Sequence, residues 1–205
     1  MDELEILKRD WKKKENSFNQ VSEKEIYGML HKRSSSIVKW ILIISILEFL
    51  FLRILDISTF FDEDYSNQMK LNHIYEFEKY VTLLNFFVLS IFIYYFYKNF
   101  KSINNSSSVK KLMTDIINTR KTVKYYVWYN LILVGISSMF IIFSMFNYNK
   151  QINSFYLENK LFFIFIGLTI VVFIIVIIWL FYKLIYGILL KRLLNNYKEL
   201  EKIDL

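Results

Sequence analysis

The chain has 205 residues, 55% of them hydrophobic and 19% aromatic, with no Cys, no Pro and a formal net charge of +7. The missing cysteines exclude disulfides, thiol catalysis and thiolate metal sites. With only four Gly, at 28, 135, 167 and 187, there is no Gly-rich phosphate loop, dinucleotide fingerprint or small-xxx-small glycine pair. Four apolar runs close to the length that crosses ~30 Å of hydrocarbon predict an all-α integral membrane protein with one membrane domain.

Residues 1–36 form a cytoplasmic N-terminal segment in which eight Lys/Arg balance seven Asp/Glu. Leu4, Leu7 and Trp11 recur at helical spacing, and Ser22 with Glu25 reads as a capping box ahead of Ile26, Met29 and Leu30. Helices of roughly ten residues are marginal alone in water and need a surface to lie on. The bilayer, the other cytoplasmic segments and a partner protein each qualify. A long charged segment precedes the first apolar run and no small-residue cleavage site comes after it, so that run is expected to be retained.

The predicted spans are 37–55, 80–97, 125–146 and 161–182, within a membrane domain over 37–182. The first is interrupted by Lys39, Glu48 and Arg53, and Trp40 to Leu52 with snorkelling ends suffices for a tilted crossing. Connection 98–124 holds seven Lys/Arg against one acid, while 56–79 and 147–160 hold two each. That asymmetry predicts both termini in the cytoplasm. Trp40, Trp128 and Trp179 fall at the cytoplasmic ends of their spans, as one interfacial belt would require.

The outer connection 56–79 has six acids, including Asp62-Glu63-Asp64, and lacks the spaced ligands and glycine of a calcium loop, so it reads as a solvated acidic loop. In the cytoplasmic connection, Asn104 to Ser108 form a linker and cap. Val109, Leu112, Met113, Ile116, Ile117 and Val123 then make an apolar stripe on a basic helix suited to anionic lipid or to docking on the N-terminal helices. The tail 183–205 keeps helical periodicity, with Leu190, Leu193, Tyr197 and Leu200 stepping by three, four and three. Two heptads are too few to fix an oligomer, and homo-oligomerisation stays open.

Glu48 lies ~12 Å of helix rise beyond Trp40, which predicts a carboxylate near mid-bilayer. An ionised carboxylate there must be protonated, face a wet cavity or accept hydrogen bonds; the predicted intramembrane partners are Ser45, Asn85 and Asn130. Arg53, turned roughly 140° around the helix, is a weaker partner. Two readings stand side by side: interhelical hydrogen-bond glue, and a proton or cation site of a small proton-coupled transporter. Asn130, Ser137 and Ser144 recur at seven-residue intervals and predict a polar seam facing another helix.

His31 and His73 are predicted on opposite sides of the membrane and cannot share a metal; no cofactor or metal site is expected. No predicted span contains an Asp, against the paired Asp of a membrane aspartyl protease, and an enzyme is not expected. The Lys and Arg near the membrane ends are already required by topology, so nucleic acid is not an expected partner.

At ELEILKRDWKKKE, EIYGMLHKRSSSIVKWILIISILEF and IYGILLKRLLNNYKELEKID, the chain resembles, end to end, a family of small uncharacterised inner-membrane proteins of the Bacteroidota. The resemblance implies a bacterial inner-membrane location and makes a membrane regulator of anti-sigma type a candidate role. The label of carotenoid oxygenase that some relatives carry does not transfer, because its iron needs more histidines than the two present. The expectation is a non-enzymatic four-helix membrane protein that binds a protein partner, a cytosolic regulator or a membrane-complex subunit, through cytoplasmic helices. Leu4, Leu7, Trp11, Leu112, Ile116, Leu193 and Tyr197 are the candidate contacts.

Overall fold

The computed structural model describes residues 22–203 together with Glu5, and leaves out the side chains of Lys150 and Gln151. The candidate contacts Leu4, Leu7 and Trp11 lie outside the described residues. Among the described residues the chain is helical and holds no strand.

The predicted capping box is in place at the start of α1 (Glu23–Phe61). The Ser22 hydroxyl accepts from the Glu25 N–H at 3.3 Å, and the Ser22 N–H donates to the Glu25 carboxylate at 3.0 Å. With no Pro to interrupt it, the helix runs 39 residues, through Ser34 to Ser36 and on to Phe61. The short N-terminal helix and the first apolar run expected as separate pieces are therefore one rod. Burial of Leu30, Ser34, Ile37, Val38 and Ile41 along one face supplies what a ten-residue helix lacks on its own.

The acidic connection is also more ordered than a solvated loop. Asp62 caps a short helix, α2 (Glu63–Leu71), by accepting from the Tyr65 N–H at 3.0 Å, and Glu63 and Asp64 complement the positive end of that helix. The chain then reverses at His73, whose φ of 55° is left-handed, and its ring packs 4.3 Å from Tyr148. α3 (Tyr75–Asn104) returns to the basic end, where the Ser108 hydroxyl accepts from the Lys111 N–H and opens α4 (Val109–Tyr148). The amphipathic basic helix and the third apolar run are thus continuous. A short α5 (Lys150–Glu158) precedes α6 (Lys160–Glu201), in which the fourth apolar run and the C-terminal tail form one helix, as the unbroken periodicity predicts.

The four long helices form an up-down bundle in which α1 packs on α3, α3 on α4, α4 on α6 and α6 back on α1, leaving α1 and α4 diagonal. At 1.5 Å per residue they measure about 58, 45, 60 and 63 Å, well beyond ~30 Å of hydrocarbon. Three of them, α3, α4 and α6, are long and apolar enough to cross a membrane. Their outward faces carry exposed Phe87, Ile132, Phe143, Phe165 and Phe173, a surface that fits lipid better than water.

The core runs the length of the bundle and is densest at the basic end. Leu30, Val38, Ile103, Leu112, Ile116, Leu193 and Leu200 meet there, all but Leu30 without measurable exposure. Within this core Asn196 donates to the Ser34 hydroxyl at 3.0 Å, both residues fully buried. A latch closes over it: the Tyr27 hydroxyl donates to the Ser106 carbonyl at 2.9 Å, and His31 Nε2 lies 2.8 Å from the Ile103 carbonyl. Burial pushes the Tyr27 phenol above its usual range.

Candidate functional site

The carboxylate of Glu48 is held between helices, but not by the predicted partners. Tyr182 donates its hydroxyl to one Glu48 oxygen in a short hydrogen bond, and Tyr186 donates to the other at 3.1 Å. The two tyrosines sit one turn apart on α6, which points both hydroxyls at the same residue of α1. Tyr126 of α4 closes the cage, its ring edge-on to Tyr182 at 6.1 Å and to Tyr186 at 5.8 Å. Phe92 and Phe96 of α3 pack edge-on against Tyr126 from the other side. All four long helices thus contribute to one polar centre with an aromatic wall.

Ser45, Asn85 and Asn130 make their hydrogen bonds elsewhere. Ser45 donates back to the Leu42 carbonyl at 2.8 Å, and Asn130 donates back to the Tyr126 carbonyl at 2.9 Å. Asn85 accepts from the Tyr129 hydroxyl at 3.3 Å. Short polar side chains on a helix reach their own preceding turn more readily than a neighbouring helix, whereas a tyrosine hydroxyl stands ~6 Å from its backbone and spans the gap. The predicted seam does face inward, since Asn130 and Ser144 are buried and Ser137 Oγ is enclosed without a hydrogen-bond partner.

The expected common level of Trp40, Trp128 and Trp179 is corrected. Glu48 meets Tyr182, three residues from Trp179, and Tyr182 in turn packs on Tyr126, two residues from Trp128. Trp128 and Trp179 line one shared groove and stand at one level. Trp40 lies ~12 Å along the axis from Glu48 toward the basic end, so the three tryptophans do not form a single belt. The cage sits at the basic edge of the apolar runs of α4 and α6, beside exposed Lys124 and Lys183.

Arg53 pairs within its own helix and toward α3: Nη2 lies 2.9 Å from Asp56 Oδ2, and Nη1 donates to the Thr82 carbonyl at 3.3 Å. Asp56 and Glu78 line a cavity of about 280 Å³ between α1, α2, α3 and α4 at the acidic end. Burial holds the Asp56 carboxyl above its usual range, with the Arg53 guanidinium pulling against that shift. No cluster of three or more metal-ligating side chains occurs among the described residues, and His31 and His73 lie at opposite ends of the bundle.

A family described as Domain of unknown function (DUF8845) matches residues 24–205. The chain belongs to this family. No curated protein and no solved structure matches it. The match spans nearly all of the described helices, so the tyrosine cage and the basic-end core both fall within the DUF8845 region.

The candidate partner contacts of this DUF8845 chain are largely enclosed. Leu112, Ile116 and Leu193 have no measurable exposure and Tyr197 is half-buried, all within the chain's own core. Among the described residues, the apolar stripes expected as docking faces dock on one another. Tyr126, Tyr182 and Tyr186 belong to the candidate site and were not expected. Their signal in the sequence is an i,i+4 tyrosine pair at the end of one apolar run and a tyrosine at the start of another.

Proposed function

We propose that this protein is a non-enzymatic, four-span protein of the bacterial inner membrane, with both termini cytoplasmic, that binds a protein partner through its projecting cytoplasmic bundle. The observation that carries this reading is the projection. From the tyrosine cage, α1 runs back about 38 Å to Glu23, α4 about 26 Å to Val109 and α6 about 22 Å to Glu201. These extensions share one sealed core and present exposed Lys110, Lys111, Lys121, Lys191 and Arg192. A rigid basic platform of this kind suits the acidic face of a helical partner, a sigma-factor-like regulator or a membrane-complex subunit.

The crossing of α1 is supported by its register against α3. Phe49 meets Phe86 at 5.6 Å, Arg53 reaches Thr82, and Phe60 meets Tyr75 at 5.7 Å, so α1 accompanies α3 over most of the apolar zone. Because the chain has no Cys, single cysteines test the topology directly. Ser154→Cys should react with an impermeant maleimide on intact cells, and Ser107→Cys only after permeabilisation; the reverse pattern overturns the orientation. A photo-crosslinking residue at Lys121 or Lys191 should capture a reproducible partner that the same residue at Ser154 does not. Identical capture from all three positions, or none, counts against partner binding.

The transport reading rests on Glu48 and requires water to reach it. The tyrosine cage, which supplies donors to both Glu48 oxygens, favours the hydrogen-bond role. Glu48→Gln separates the two: lost uptake or efflux with an intact fold supports transport, and altered stability alone supports the bundle.

A further inference from the structure

The cavity at the acidic end is of mixed character. Its polar side is formed by Asp56, Glu78, Thr59 and Thr82, and its apolar side includes Met69 and Ile141. At about 280 Å³ it is at the small end of the range that holds organic ligands. The charges facing it do not cancel. Arg53 pairs with Asp56, and Lys70 sits over the Tyr75 ring at 5.0 Å, which leaves Glu78 without an ion-pair partner among the described residues. One Glu78 oxygen, Oε1, is enclosed and accepts no hydrogen bond.

We propose that this cavity is a binding site for a small organic ammonium ion, its N–H groups donated to the Glu78 carboxylate and a Thr hydroxyl and its hydrocarbon portion seated on Met69 and Ile141. The chemistry of the wall selects this class. An anion would meet Glu78 with no cation to offset it, since no Lys or Arg lines the cavity and Arg53 turns Nη2 to Asp56 and Nη1 to the Thr82 carbonyl. A bare divalent cation prefers six or more oxygen ligands and gains nothing from an apolar wall. A neutral molecule of the same shape would leave Glu78 unmatched. The inference is independent of partner binding at the opposite end of the bundle, and its test reads neither topology nor capture.

The experiment uses full-length protein purified in mild detergent, with benzylamine, its neutral isostere benzyl alcohol and calcium chloride as separate probes, read by calorimetric titration and thermal unfolding. Benzylamine should bind saturably and raise the unfolding midpoint; benzyl alcohol and calcium should not. Glu78→Gln should weaken benzylamine roughly ten- to a hundredfold, the loss of a hydrogen bond to a charged group. Ile141→Phe, which fills the apolar side and keeps both carboxylates, should also weaken it and serves if Glu78→Gln folds poorly. Equal binding of benzyl alcohol, binding of calcium that Glu78→Gln abolishes, or benzylamine binding unchanged in both variants would each overturn the proposal.

Discussion

Replacing Tyr182 with Phe removes one hydroxyl from the cage and leaves the ring, so its packing against Tyr126 at 6.1 Å is retained. Glu48 then keeps Tyr186, at 3.1 Å, and the neighbouring Tyr126 hydroxyl. A net hydrogen bond between neutral groups contributes about 0.5–1.5 kcal/mol and one to a charged group about 1.5–3 kcal/mol. Interhelical pairs measured in membrane bundles average ~0.6 kcal/mol, because the reference state also finds partners. Tyr182→Phe and Tyr186→Phe should therefore each destabilise by about 1–2 kcal/mol. The coupling in a double-mutant cycle of Glu48→Gln with Tyr182→Phe reports the state of the carboxyl: about 0.5–1.5 kcal/mol if it is protonated, about 1.5–3 kcal/mol if it is ionised. Equilibrium unfolding in mixed detergent micelles, followed by Trp fluorescence, supplies the free energies. If both Phe variants match the native protein within ~0.3 kcal/mol and the cycle shows no coupling, the cage does not hold the bundle and the reasoning fails.

Four further sites probe other levels of the bundle by the same unfolding assay. Gly167→Ala should cost about 1–3 kcal/mol, because its methyl would lie 2.9 Å from Ile142 Cγ2 and 3.3 Å from Phe146 Cε2, whereas Gly28→Ala meets nothing within 4 Å on an exposed helical face and should stabilise by ~0.5–1 kcal/mol. Ser34→Ala should cost about 1–3 kcal/mol by stranding the buried Asn196 amide. Adding Asn196→Leu should recover much of that loss, since the Asn196 carbonyl oxygen already lacks a partner; a double variant worse than the single would refute this. Leu193→Ala, in the centre of the basic-end core, should cost about 2–5 kcal/mol, and a near-neutral result would mean that Leu193 is free to meet a partner.

The linear chain was sufficient to determine the helical class, the capping box at Ser22 and Glu25, the continuity of the last apolar run with the tail, and the inward seam of Asn130 and Ser144. Each depends on spacing within one helix, which a sequence displays directly. Glu48 was legible as the residue to explain for the same reason: a carboxylate in an apolar run is conspicuous wherever it lies. Its partners were not legible. Tyr182 and Tyr186 stand 134 and 138 positions away, and only the axial register of α1 against α6 decides that Glu48 faces them rather than Asn85 or Asn130. That register also sets Glu48 at the level of Trp128 and Trp179, because a helix can slide along its neighbour without any change in its own periodicity. The enclosure of Leu112, Ile116 and Leu193 has the same cause. An amphipathic stripe states that a face will be covered, and only the tertiary structure decides whether the cover is a partner, a membrane or the rest of the chain.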